Sequence, residues 1–102
     1  MPEPASKINL KIVVEATGYC PCDLCTEQYT LTKTGTVPVQ GRTIAVDNNL
    51  IPLGSIVIID GKKYVAEDIG GGIKGNKIDV YFDNHDDVLE YGRKLIEIEV
   101  VK

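Results

Sequence analysis

One carboxylate stands where a β-strand should not hold one. In Lys77-Ile78-Asp79-Val80-Tyr81-Phe82, Ile78, Val80 and Phe82 alternate with Asp79 and Tyr81, so Asp79 and Tyr81 share the face opposite the apolar one. Asp is depleted in strands, and a residue that breaks the local rule marks a place to look for chemistry. The plain alternative is an Asp that merely faces solvent on one side of a sheet. Asp47 and Asp68 each close a strand-forming run beside a turn, where binding groups and Asx-turns are both common. The glycine-rich stretch Gly70-Gly71-Gly72-Ile73-Lys74-Gly75-Asn76 lacks the Gly-Lys-Ser/Thr ending of a phosphate loop, and a strand follows it where a dinucleotide site needs a helix. Glycines without side chains let a bulky ligand, or another piece of chain, lie against the main chain.

The three cysteines fall in Cys20-Pro21-Cys22-Asp23-Leu24-Cys25. This run reads as a local disulfide joining Cys20 or Cys22 to Cys25, as a zinc site of three thiolates with the distant His85, or as three plain thiols. His85 is the single histidine, and Ser6 and Ser55 are the only serines. A Ser-His-Asp hydrolase is therefore excluded as a working model.

These groups must be positioned by short strands. Ile8, Leu10, Ile12 and Val14 alternate with Asn9, Lys11 and Val13, which predicts a half-buried strand from Lys7 onward. Residues 18–41 are punctuated by Gly and Pro, with a short strand expected over Tyr29–Thr32. Further strands are predicted over Arg42–Val46, Ser55–Ile59, Lys62–Glu67, Lys77–Phe82 and Lys94–Val101. Asp60-Gly61 joins two of them as a tight hairpin turn. Asn84 caps a short helix that carries Asp86 and Asp87 in its first turn and stops at Gly92. Six or seven strands with one short helix predict a mainly β protein, a small closed barrel.

The chain has 102 residues, with 11 Lys and Arg against 15 Asp and Glu and a net charge of −4. One domain over residues 7–102, after a lead-in over residues 1–6, accommodates that length. An apolar fraction of 43% and a charged fraction of 25% are those of an ordinary globular protein. The acidic balance tells against nucleic acid, and no apolar run is long enough for a membrane span. Met1–Ser6 shows no signal-peptide pattern.

Arg42-Thr43-Ile44-Ala45-Val46-Asp47, then Ile51-Pro52-Leu53-Gly54, then Asp68-x-Gly70-Gly71-x-Ile73-Lys74-Gly75-Asn76-x-Ile78-Asp79-x-x-Phe82 together resemble the 3D (three-aspartate) domain of bacterial cell-wall and stationary-phase survival proteins. That domain is similar to the catalytic core of membrane-bound lytic transglycosylase A. The resemblance extends from about Ala16 to the C-terminus. It implies a double-psi β-barrel that acts outside the cytoplasm, secreted or wall-associated, on peptidoglycan glycan strands. The implied reaction cleaves the β-1,4 bond between N-acetylmuramic acid and N-acetylglucosamine and leaves a 1,6-anhydro end, without a cofactor or metal. On this resemblance Asp79 is the acid/base, with Asp47 and Asp68 beside it. Tyr81, Gly70, Gly71, Lys74 and Asn76 would bind the substrate.

The chemistry is self-consistent. One carboxyl protonates the leaving oxygen and then accepts the proton of the sugar's own 6-hydroxyl as that oxygen attacks the anomeric carbon, whereas a hydrolase needs a second carboxylate. Such an acid must have a raised pKa, and Asp47 and Asp68 are expected to supply it by repulsion. The sequence departs from the family pattern at Ile69, which stands for the usual Thr. It departs also at Asn48, which stands for a Pro, and at Thr26, which stands for a fourth Cys. Loss of the hydroxyl at Ile69 motivates the alternative of a non-catalytic peptidoglycan-binding module.

Overall fold

The structure, a computed structural model, describes residues 9–20, 31–70 and 73–101. The predicted lead-in over residues 1–6, two residues of the predicted strand over Tyr29–Thr32, and Gly71, Cys22 and Cys25 lie outside them. Leu31 and Thr32 are not in a strand.

Six strands and one helix occur among the described residues: β1 (Leu10–Tyr19), β2 (Thr43–Val46), β3 (Ile56–Ile59), β4 (Lys62–Ile69), β5 (Lys77–Tyr81), α1 (His85–Tyr91) and β6 (Lys94–Val100). The strands close into a barrel in the order β1-β5-β2-β4-β3-β6. β1/β5 and β2/β4 are parallel, and the other neighbours are antiparallel. Among the described strands, closure leaves no sheet edge open to pairing with another chain.

The period-2 pattern dictates the two surfaces. Val14, Ala16, Ile44, Val46, Val57, Ala66, Ile78, Val80, Ile98 and Val100 point inward and are buried as one core. Their neighbours in sequence point outward, so Asp79 and Tyr81 lie on the outer surface while Ile78 and Val80 fill the interior. Asp60 (φ 53°) and Gly61 (φ 79°) form the hairpin turn between β3 and β4, as their residue types require. Asn84 caps α1 by accepting the Asp87 N–H at 3.0 Å, and Gly92 (φ 66°) ends the helix.

One ladder is irregular. β2 and β4 pair Ile44 with Ala66 but Ala45 with Asp68, so Glu67 is the extra residue of a bulge. Its side chain is buried, accepting the Thr43 hydroxyl at 2.6 Å and an Arg42 guanidinium N–H at 3.1 Å. Arg42 Nε lies 3.0 Å from the second carboxylate oxygen. The bulge shifts register by one residue, so Asp68 and not Glu67 stands opposite Ala45.

Gly18 has no room for a side chain. A Cβ there would lie 2.9 Å from Phe82 Cε2 and 3.4 Å from the Val88 backbone, where α1 packs on β1. Gly18→Ala is expected to lower stability by about 1–3 kcal/mol through overpacking, read as a shifted urea midpoint with unchanged slope.

Candidate functional site

The site is built on the outer face of β4, β2, β5 and β1. Ala45 at its centre pairs with Asp68 on one side and Asp79 on the other. Residues directly opposite one another in a sheet share a face, so the two carboxylates flank Ala45. From β1, Thr17 pairs with Asp79 and Tyr19 with Tyr81. The Thr17 hydroxyl hydrogen-bonds the Asp79 carboxylate, and the Tyr19 hydroxyl reaches Asp68 at 3.4 Å. Two hydroxyls at alternate positions of one strand thus serve the two acids.

Each carboxylate has its own setting. Burial pushes the Asp79 pKa up, while the Thr17 hydrogen bond and the Lys77 charge pull it down. The sequence-based expectation was repulsion from Asp47 and Asp68; desolvation is the cause that the structure provides. Asp68 accepts the main-chain N–H of Lys33 at 3.0 Å and of Ile69 at 2.9 Å through one oxygen. The missing threonine hydroxyl at Ile69 therefore does not leave Asp68 unheld. Asp47 sits at the end of β2 and accepts Gly75 N–H at 2.7 Å and Asn49 N–H at 2.9 Å. These backbone donors hold its pKa below the usual carboxylate value. Its role in the geometry is to fasten the β4–β5 loop.

Tyr19 and Tyr81 meet edge to face, 5.4 Å between ring centres, and are only 8% and 6% exposed. Their rings pack against Ala45 and Ile73 and do not present open faces. Burial, followed by the charge of Asp68, raises the Tyr19 pKa and keeps its hydroxyl a donor. Burial likewise raises that of Tyr81. Gly70 is needed because a Cβ there would stand 2.9 Å from Ile73 Cγ1; the glycine lets the loop fold Ile73 onto the tyrosines. The Asn76 side chain donates to the Val13 carbonyl at 3.0 Å. Lys74 is exposed, and its charge acts on Asp47.

Thr17, Tyr19 and Glu67 did not emerge from the sequence as site residues. The sequence reads alternation only as far as Val14 and a loop from residue 18, whereas β1 runs on to Tyr19, and nothing in it says which strand lies beside β1. Among the described residues no three His, Cys, Asp or Glu side chains gather as a metal cluster, and no helix is long and apolar enough to cross a membrane.

Comparison with known proteins places these features. The 3D domain profile matches residues 42–102, beginning later than the expected start near Ala16. The cell wall-binding protein YocH of Bacillus subtilis is 46% identical over 61 residues, which are 59% of this chain and 21% of that protein. The structure superposes on E. coli MltA with bound chitohexaose at a TM-score of 0.60 and 22% identity, covering 71% of this chain and 27% of that one. It superposes on the lytic transglycosylase LtgG of Burkholderia pseudomallei at a TM-score of 0.60 and 24% identity, covering 69% and 25%. The chain thus corresponds to about a quarter or less of each of these proteins, and the two superpositions establish a shared fold.

Proposed function

Because this chain belongs to the 3D domain family, we propose that it binds the glycan strands of peptidoglycan, outside the cytoplasm, along the face that carries Asp68 and Asp79. The observation that carries this reading is the placement of two carboxylates on either side of Ala45, each held by a hydroxyl from β1. Likeness to a cell wall-binding protein and to a fold seen with bound chitohexaose supports it. The double-psi connection of the barrel belongs to the same proposal.

A second reading, lytic cleavage of the muramic acid–glucosamine bond, is favoured by one specific observation. Asp79 is the carboxylate whose pKa is raised by burial, as a proton donor working near neutral pH requires. In this reading Asp79 protonates the leaving oxygen and then receives the proton of the attacking 6-hydroxyl. Thr17 orients it, and Asp68 adds negative charge beside an oxocarbenium-like transition state.

Binding is tested by co-sedimentation with purified sacculi. Lys33 and Lys74 are exposed beside Asp68 and Asp47 respectively, where they can meet the carboxylates of peptide stems. Wild type is expected in the pellet, and Lys33→Glu/Lys74→Glu is expected to bind severalfold more weakly with a reduced salt dependence. Leu95→Ser, at a 75% exposed position on β6, is expected to bind as wild type. Wild-type protein that stays in the supernatant overturns the proposal.

A further inference from the structure

In the loop that leads into β2, residues 32–36 close a tight turn. The Gly35 N–H donates to the Thr32 carbonyl at 2.9 Å, and the Thr32 N–H donates to the Thr36 carbonyl at 2.8 Å. Thr32 is buried, only 5% exposed, and its Oγ1 accepts the Thr36 N–H at 3.1 Å. The Thr32 hydroxyl also bonds those of Thr34 at 3.1 Å and Thr36 at 2.6 Å. A hydroxyl has one proton and two lone pairs, so Thr32 uses its whole capacity inside the turn.

The turn grips β4 at its bulge. The Lys33 N–H donates to Asp68 Oδ1 at 3.0 Å, and the Thr34 N–H donates to the Glu67 carbonyl at 3.1 Å. Arg42 secures the returning leg, donating to the Val37 carbonyl at 2.9 Å and to the Glu67 carboxylate at 3.1 Å. With the Ile69 N–H as well, Asp68 Oδ1 has two main-chain donors. Oδ2 meets the Tyr19 hydroxyl at the longer distance of 3.4 Å. An ionised carboxylate has about four acceptor positions, so the half-exposed Asp68 keeps room at Oδ2 for a donor brought by a ligand.

Resting on the glycan-binding reading, we propose that Thr32 is a positioning residue for Asp68. Its hydroxyl holds the turn that fixes Oδ1, and Oδ2 is the atom offered to a hydroxyl or acetamido N–H of the glycan. A carboxylate already fixed loses little freedom when the ligand arrives, and hydrogen bonds to a charged acceptor are the strong ones. Thr32 itself is buried and acts through Asp68.

The test has two arms, both on the full chain. In the first, amide exchange is followed by NMR without ligand. Thr32→Val keeps the side-chain shape and removes the hydroxyl, and is expected to speed exchange of the Lys33 amide by about tenfold. Asp68→Ala is expected to do the same, and Thr32→Ser to stay within about twofold of wild type. Gly35→Ala disturbs the turn from a second side: φ there is 89° and an added Cβ would meet nothing, so the strain is the backbone's own. It is expected to follow Thr32→Val. The amides of β5 are expected to keep their protection in all four variants, which shows the barrel folded.

The second arm measures apparent affinity for purified sacculi by co-sedimentation. Thr32→Val is expected to bind about fivefold more weakly, the effect of about one hydrogen bond, and Thr32→Ser as wild type. In the Asp68→Ala background, Thr32→Val is expected to add nothing. A Thr32→Val loss that persists in full without the Asp68 carboxylate overturns the proposal, and so does Thr32→Val that binds as wild type. A wild type that leaves sacculi unbound removes the peptidoglycan reading. The Lys33 amide still decides the positioning role in that case, and an unchanged exchange rate in Thr32→Val overturns it.

Discussion

Asp79→Asn is expected to leave sacculus binding intact and to lower the release of anhydro-muramic ends by about 10²–10⁴-fold, the usual contribution of a positioned general acid. The substitution keeps the shape and an oxygen that can accept the Thr17 hydroxyl, and it removes only the transferable proton. Mass spectrometry of digested sacculi reads the end groups. Wild-type turnover that survives the substitution removes Asp79 from the chemistry, and a wild type with no turnover leaves the binding reading alone.

The same variant carries a stability signature of opposite sign. Asp79 has a folded-state pKa above its ordinary value because its charge is partly buried. Its favourable contribution is fully present below the ordinary carboxylate pKa of about 3.9, where the side chain is neutral in both states. That contribution is lost as pH rises through the folded value. An amide cannot ionise, so Asp79→Asn is expected to raise Tm near neutral pH, with the gain vanishing near pH ~3. A gain in stability with a loss of turnover is the pattern of a group held in place for function at the fold's expense.

Ile78→Ala is expected to cost about 2–5 kcal/mol, a large part of the 5–15 kcal/mol, roughly, that holds a domain together. Ile78 is fully buried, and its cross-strand partners Ala16 and Val46 are fully buried too. None can collapse far into the space left behind. The urea midpoint is expected to fall steeply. A loss under about 1 kcal/mol would show that the barrel interior repacks around the cavity, against the interlocked core described above. Because Ile78 adjoins Asp79, the damage is expected to extend to whatever the carboxylate does.

Much of this was legible in the sequence because local rules governed it. Alternation set Ile78 and Val80 inside and Asp79 outside. Asp60-Gly61 set one hairpin, and Asn84 and Gly92 set the bounds of the helix. Asp68 was singled out for its place at a strand end, yet what faces it toward Asp79 is a register shift that no periodicity records. Glu67 reads as an ordinary strand residue until Arg42 and Thr43 are seen to hold it buried. Tyr81 is expected from the sequence to line a sugar subsite; its ring packs against a tyrosine from β1, a contact that no local pattern records. Tyr19 and Thr17 escaped notice because their significance is non-local: parallel pairing of β1 with β5 joins segments some 60 residues apart, and nothing in either segment announces the other.

β1 lies wholly upstream of the segment that the family profile matches, residues 42–102, yet it bonds to both β5 and β6 and closes the ring. The stretch of recognisable ancestry is therefore smaller than the unit that folds. A fragment begun at Arg42 would keep all three aspartates and lose Thr17 and Tyr19. It would also expose two raw strand edges, which invite a neighbour's strand to fill the gap. The groups that close this gap all come from the β1 segment, which pairs with β5 along one side and β6 along the other, so the wall is sealed by a part of the chain outside the matched region.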